Sequence, residues 1–443
     1  MVSPSFKRNF VSFAAGLVVA VVAGSISLVR LRWGSPQSLT EGLWAEDGLF
    51  VLCIHKSDFW ECATQPYAGY LHLVPRLLAW PISTFSWEAW PTAANLGAAL
   101  FAGVAAAFVL VVLRGGGFGW FVSILVALLP VVSPIMGLES INSIASSYSL
   151  LLVASTLALL LRPTRGPTWS ALIALLLLLT ALTIPSAVVL LPILAVQVFR
   201  REIAFRTGSF LVTALAIGLG AQVFAAMNAE YRRPVEITRE SILSWADAVP
   251  VSLLTYWPGL SLNQYSFFTN FVFVPVSVTG WIFVITTMAV GLWRLQKGWK
   301  QLESNDAAVG LIFLSSLTFG FIPVATGDVN NRYFVAPTVL FVSAILIWLA
   351  PSIKKAPWLL VASLTVLVGI LWWPAMPASP WRADARPVWS SEIQRLQGIC
   401  TADPAMSDRV FFTPYWPTEG GDGQMPEPTN PSFPCPLVYR WLP

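Results

Sequence analysis

The chain has 443 residues, 56% of them hydrophobic and only 11% charged, with a formal net charge of +4. Soluble domains carry roughly 25% charged residues, so this composition excludes a soluble globular protein and indicates a polytopic membrane protein. The small positive balance excludes nothing by itself, because the charges are segregated along the chain.

The N-terminus reads Lys7-Arg8 followed by an apolar run from Phe10 to Val29. A signal peptide has the same charged and apolar regions. This run is long enough to span, and Ser27-Leu28-Val29-Arg30-Leu31-Arg32 offers no small-residue cleavage site. We read it as an uncleaved first helix. Further apolar runs fall at 92–113, 118–136, 147–161, 168–183, 186–199, 208–227, 270–293, 307–324, 334–350 and 357–374. The fold class expected is an all-α polytopic membrane protein of about eleven transmembrane helices. The alternative around Thr183-Ile184-Pro185-Ser186 is one long helix kinked at the proline.

Charge arbitrates between these readings. With Lys7 and Arg8 in the cytoplasm, eleven spans place Arg114, Arg162, Arg165, Arg200, Arg201, Arg206, Arg294, Lys297, Lys300, Lys354 and Lys355 on the same side. Of 26 basic and 22 acidic residues, 13 and 3 fall there, leaving 13 and 19 on the other side. Short loops rich in Lys and Arg belong inside. Fusing the two spans at Pro185 inverts everything after them and breaks the agreement, so two spans are kept. The N-terminus is then cytoplasmic and the C-terminus extracytoplasmic, in a multi-pass protein of the cell membrane.

The transmembrane domain covers 1–373, with a long first outer loop at 30–91 and another at 228–269. A Pro- and Trp-rich extracytoplasmic region follows at 374–443. All four cysteines lie outside in this threading, where disulfides form. We expect Cys53–Cys62 and Cys400–Cys435, one of three connectivities open to four cysteines.

The first outer loop is the richest in chemistry. It carries Glu46-Asp47-Gly48, and both histidines, His55 and His72, lie in it. Tyr67-Ala68-Gly69-Tyr70-Leu71-His72-Leu73-Val74-Pro75-Arg76 follows. Residues 49–54 and 76–82 are expected to form short helices along the membrane surface. Two adjacent acids at that depth are costly unless solvated, paired or used. Neighbouring helical residues point about 100° apart, so Glu46 and Asp47 do not converge on one proton. The bland reading is that they cap an interfacial helix, and that His72 and Arg76 form an interfacial hydrogen-bonding pair. Pro75 argues against an uninterrupted helix through that pair. Glu139, a lone acid in a short outer loop, can receive a substrate group or a divalent metal, or be a solvated loop acid. Arg332-Tyr333 closes a late outer loop; arginine presents a donor fork that suits phosphate, while the plain alternative is a membrane anchor.

No phosphate-binding glycine loop, dinucleotide fingerprint or serine-nucleophile elbow is present. Two histidines without a His-x-x-x-His spacing argue against a zinc enzyme. No basic patch interleaved with aromatics suggests nucleic acid.

The layout resembles the GT-C class of integral membrane glycosyltransferases. These have a cytoplasmic N-terminus and a long first outer loop with a catalytic acid and interfacial helices. Their donors are polyprenyl-phosphate sugars. The resemblance implies that Asp47, with Glu46, is the first-loop acid, and that Glu139 is the second-loop acid of some members. It implies that Arg332-Tyr333 meets the donor phosphate; to these we add Arg76 at the phosphate, Tyr70 as a platform for a sugar face and His72 as a further substrate-binding candidate. The acceptor is then a glycan, lipid or protein, and the surroundings are membrane lipids. The Glu-Asp order departs from the Asp-Glu order of protein mannosyltransferases, so which acid acts stays open. Two other classes compete. A transporter of lipid-linked glycans needs ionisable residues near mid-membrane or broken helices in corresponding halves. A non-enzymatic assembly protein needs no convergent acid and arginine.

Overall fold

The computed structural model describes residues 4–34, 38–43, 46–67, 69–133, 142–161, 166–229, 237–239, 242, 245, 281–299, 304–325, 331–355, 389–402, 407–409 and 432–434. Helices dominate. They are α1 (Pro4–Gly34), α2 (Ser38–Glu41), α3 (Glu46–Lys56), α4 (Phe59–Thr64), α5 (Leu73–Ile82), α6 (Trp90–Gly115), α7 (Trp120–Val132) and α8 (Ser147–Leu161). Then come α9 (Pro167–Thr183), α10 (Leu190–Phe199), α11 (Phe205–Asn228), α12 (281–299), α13 (Ser304–Ala325), α14 (Val335–Lys355) and α15 (Trp389–Ala402). One two-stranded antiparallel ribbon pairs β1 (Ser407–Arg409) with β2 (Ser432–Pro434).

Among the described residues, five stretches are long and apolar enough to cross a membrane: Ala14–Arg32, Trp87–Gly115, Phe205–Asn228, Asn305–Pro323 and Val335–Ser352. The protein is therefore an α-helical membrane protein. Shorter apolar helices pack among these five. The first two spans meet through small residues. Gly16, Ala20 and Gly24 on α1 face Ala107, Gly103 and Ala99 on α6, and a Cβ on Gly24 would lie 3.2 Å from the Ala99 carbonyl oxygen. In lipid, where apolar contact with a neighbour gains little over contact with acyl chains, such close backbone approach is what holds helices together.

At the centre lies α8, buried along all 15 of its residues. The outer helices instead expose apolar side chains, such as Leu17 and Val21 on α1 and Ile217 and Phe224 on α11. That inversion of the soluble pattern is expected when the solvent is hydrocarbon.

Contacts between the helix termini define two ends of the bundle. At the upper end, Tyr148 stacks on Tyr333 and Ser27 bonds Asn142. There too the Val74 amide donates to the Thr183 hydroxyl. At the lower end, Phe199 meets Trp299 and Arg294 pairs with Asp306. Thr183 therefore sits at the upper end and Phe199 at the lower. The chain reverses at Ile184, which is extended, and a 3-10 turn at Pro185–Val189 leads into α10. So α9 and α10 are separate elements rather than one kinked helix.

A second apolar core sits at the upper end, outside the bundle proper. It joins α3, α4, α5 and the start of α6 to the tail helix α15. Leu43, Phe50, Trp87, Trp90, Trp389 and Cys400 are all buried there. The expected interfacial segments 49–54 and 76–82 lie within α3 and α5. α5 is amphipathic, with Val74, Arg76, Ala79 and Ile82 buried while Leu77 and Trp80 are exposed. Pro75 does not interrupt it. His72 is the N-cap, so Pro75 falls in the first turn, where a missing amide hydrogen costs nothing.

Candidate functional site

Asp47 lies in the first turn of α3, where a carboxylate opposes the positive end of the helix dipole. It is 1% exposed. The Ser143 hydroxyl donates to its Oδ1 at 3.0 Å, and the Ala145 amide donates to the same oxygen at 2.8 Å. The Ile144 amide donates to Oδ2 at 3.2 Å. One carboxylate thus gathers the loop that leads into α8. In that loop Asn142 is in the left-handed region with φ 53, which asparagine tolerates better than most residues. Ser27 Oγ donates to Asn142 Oδ1 at 2.6 Å, and Asn142 Nδ2 donates to the Ser27 carbonyl at 2.9 Å. Arg30, one turn above Ser27, donates to the carbonyls of Val131 and Ser133 and so satisfies the C-terminal end of α7. Glu46, beside Asp47, is half-buried.

Phe50 follows one turn after Asp47 on the same helix. Its ring is 5.3 Å from His72 and 5.8 Å from Tyr67, and the Arg76 guanidinium lies 5.5 Å from it. The Tyr70 ring is 4.2 Å from His72, tilted by 35°. The Tyr67–Tyr70 turn is closed by two backbone hydrogen bonds and uses Gly69 at φ +88. Gln222 on α11 clamps this turn to the bundle. Its Oε1 accepts from the Leu71 amide at 2.8 Å, and its Nε2 donates to the Ala181 carbonyl at 2.8 Å.

Arg76 is 3% exposed and donates from one terminal nitrogen to the Ala63 carbonyl at 3.2 Å. Its Nε has no hydrogen-bond partner among the described residues. Burial pulls its guanidinium down to about 10 from 12.5, which leaves it cationic at neutral pH. The cluster thus holds a fixed cation within an aromatic wall. A buried cation with a free nitrogen among aromatic faces suits an anionic group.

Cys53 and Cys62 form a disulfide with a Cα separation of 5.7 Å, joining α3 to α4. Cys400 is also disulfide-bonded and fully buried; Cys435 lies outside the described residues. The structure brings Glu46, Asp47, Tyr70, His72 and Arg76 to one end of the bundle, with Tyr333 at that end through Tyr148. Arg332 lies in the 3-10 turn Asn331–Phe334, and its side chain is outside what is described. Glu139 is likewise outside the described residues. Among the described residues, no group of three His, Cys, Asp or Glu side chains converges as a metal site.

Sequence reasoning missed Phe50, Gln222, Thr183 and the 143–145 segment. Gln222 and Thr183 did carry a signal. Each is a polar side chain inside an apolar span, and such residues face protein rather than lipid. Comparison with protein-family models and with curated proteins finds no match.

Proposed function

We propose that this chain is an integral membrane glycosyltransferase that moves a sugar from a polyprenyl-phosphate donor to an acceptor at the upper face. The observation that most supports this reading is the course of α3. It carries the two acids at its start and, one turn later, the phenylalanine against which His72 and Arg76 pack. In this scheme Arg76 and Arg332 hold the donor phosphate, while Tyr70 and Tyr333 line the sugar. The acceptor hydroxyl gives its proton to a carboxylate as its oxygen bonds the anomeric carbon. The bond from that carbon to the phosphate oxygen breaks, and the lipid phosphate leaves with the electron pair. The sugar inverts. Asp47 already accepts three hydrogen bonds, so we assign the proton to the half-buried Glu46 and give Asp47 the role of positioning the 143–145 loop. The acceptor is a glycan, lipid or protein. Eleven crossings, with the N-terminus cytoplasmic, place this face outside the cell membrane.

The test is sugar transfer from labelled polyprenyl-phosphate donors by the purified protein in lipid discs. Glu46→Gln should abolish transfer while donor binding persists, and Arg76→Met should weaken donor binding. If Asp47→Asn alone is inactive and still fully folded, the two acids exchange roles. Donor binding without transfer to any acceptor class, unchanged in every variant, would overturn the enzyme in favour of a carrier of lipid-linked glycan.

A further inference from the structure

The lower end of the bundle carries a second constellation, unrelated to the proposed transfer site. The turn between α10 and α11 packs against the C-terminal end of α12. The Arg200 guanidinium lies 5.8 Å from the Trp299 ring, and its NH2 pairs with Glu202 at 3.4 Å. On α12, Arg294 pairs with Asp306, and Lys297 Nζ lies 3.0 Å from Asp306 Oδ2. Arg294 also stands over the Trp348 ring at 4.5 Å. Around this turn the described residues thus include Arg200, Arg201, Arg206, Arg294 and Lys297 against only Glu202 and Asp306. Both carboxylates are already paired.

Two features go beyond a solvated basic patch. First, the Arg200 side chain is 6% exposed, yet its NH1 has no hydrogen-bond partner among the described residues. A buried guanidinium nitrogen without an acceptor is costly, and an anionic oxygen at the turn would relieve it. Second, Arg201 occupies the left-handed region with φ 61, just past the end of α10. Glycine is the usual residue there, and a side chain is strained. The strain holds an exposed cation at the turn, beside exposed Arg206. A rim of exposed aromatics surrounds these charges: Phe199 at 77%, Phe205 at 80%, Trp293 at 51% and Trp299 at 44%. Aromatic side chains at that density next to exposed cations mark the depth of lipid headgroups.

We propose that the α10–α11 turn and the end of α12 form a binding site for the phosphate headgroup of an anionic phospholipid, with Arg200 and Arg201 contacting the phosphate and Arg206 adding charge. The acyl chains lie along the exposed aromatics. The excess of cations places this end in the inner leaflet.

The test compares full-length protein in phosphatidylcholine discs with and without phosphatidylglycerol, read as bound lipid by native mass spectrometry and as melting temperature. Wild type should retain phosphatidylglycerol and melt higher when it is present. Arg201→Gly and Arg206→Gln should each weaken retention about fivefold at low salt. Arg201→Gly should at the same time melt no lower than wild type in phosphatidylcholine alone, since it relieves strain. Arg32→Gln, which removes one exposed charge at the opposite end, is the control and should retain lipid as wild type does. Retention unchanged in both lower-end variants would overturn the site. Equal loss in Arg32→Gln would reduce it to general surface charge and overturn it also. A melting gain reproduced in phosphatidylcholine by inorganic phosphate would overturn the lipid as ligand and point to a soluble anion.

Discussion

Asp47 accepts hydrogen bonds from two backbone amides and one hydroxyl at a position closed to water. An unsatisfied buried donor costs about 1–3 kcal/mol. Asp47→Ala orphans two amides that cannot turn elsewhere, so it should destabilise the protein by about 3 kcal/mol. Asp47→Asn should cost less, because one acceptor oxygen remains. Glu46→Gln should melt as wild type. Tryptophan-fluorescence melts of the three variants separate a positioning acid from a reacting one, and a wild-type melt for Asp47→Ala would refute the positioning role. His55 gives a pH prediction. Its imidazole lies 5.2 Å from Trp90 and 6.1 Å from Trp87. Burial lowers its pKa from 6.5, and a backbone hydrogen bond at Ser83 opposes this only in part. The unfolded chain then binds the proton first as pH falls, so the stability His55 contributes is present above about 6.5 and is lost progressively below it. Melting temperature should fall more steeply from pH 7 to pH 5 in wild type than in His55→Phe. Parallel slopes would remove His55 as the cause. Arg76 separates function from stability. Replacing a buried charge by an apolar side chain of similar length is often neutral or stabilising, so Arg76→Met should hold or raise the melting temperature while donor binding falls.

At the scale of elements, a tight constraint is the α1–α6 seam. Its residues alternate along each helix so that Gly16, Ala20 and Gly24 meet Ala107, Gly103 and Ala99. A Cβ on Gly103 would run into the Ala20 carbonyl oxygen. Backbone cannot yield there as a flexible side chain can. Gly103→Val should therefore cost about 2 kcal/mol by forcing the helices apart, whereas Gly220→Ala, which meets open space on α11, should be silent. Equal melts for the two would show that the seam is loose. This seam was not read from the sequence, because small residues at fourfold spacing on two helices gain meaning only once the helices are known to pair. The helices themselves were legible, since spans of apolar residues have few other solutions in lipid. The break at Pro185 was legible through charge alone. A helix at 76–82 was legible too, but its extension back to Leu73 was not, because whether Pro75 falls in a first turn or an interior depends on where the cap lies, and His72 is an uncommon cap. The acids and the His72–Arg76 pair were found as isolated signals. That Phe50 and Gln222 bind them into one site requires contacts between residues far apart in the chain.

On the scale of the whole molecule, the C-terminal helix belongs to the upper end of the chain. Trp389 Nε1 donates to the Trp87 carbonyl at 2.7 Å, and its ring lies 6.1 Å from Trp90. The Ser390 amide donates to Glu41 Oε2 at 3.0 Å. Trp389, Ile393 and Cys400 complete an apolar core whose other members come mostly from the first outer loop, with Ala94 and Ala98 of α6 and Ile144 and Ala145 before α8. α3 is one of those members, and it carries Glu46 and Asp47. The tail therefore bears on the proposed site through packing, and its loss should loosen that site before it loosens the bundle. Removing a buried tryptophan side chain costs about 3–5 kcal/mol, more than a 14-residue helix held on one face can spare. Trp389→Ala should release α15, seen as protease cleavage within the tail of the folded protein. The five long spans should remain intact and melt near the wild-type temperature, since only the start of α6 reaches into the outer core and the rest of their packing lies in the other cluster. Transfer should then fall with donor affinity little changed, because Arg76 also rests on Ala63 and Phe50, inside the first loop. If Trp389→Ala instead lowers the melting of the whole protein in a single transition, the two cores fold as one unit, and the tail is part of the scaffold rather than a separable cover.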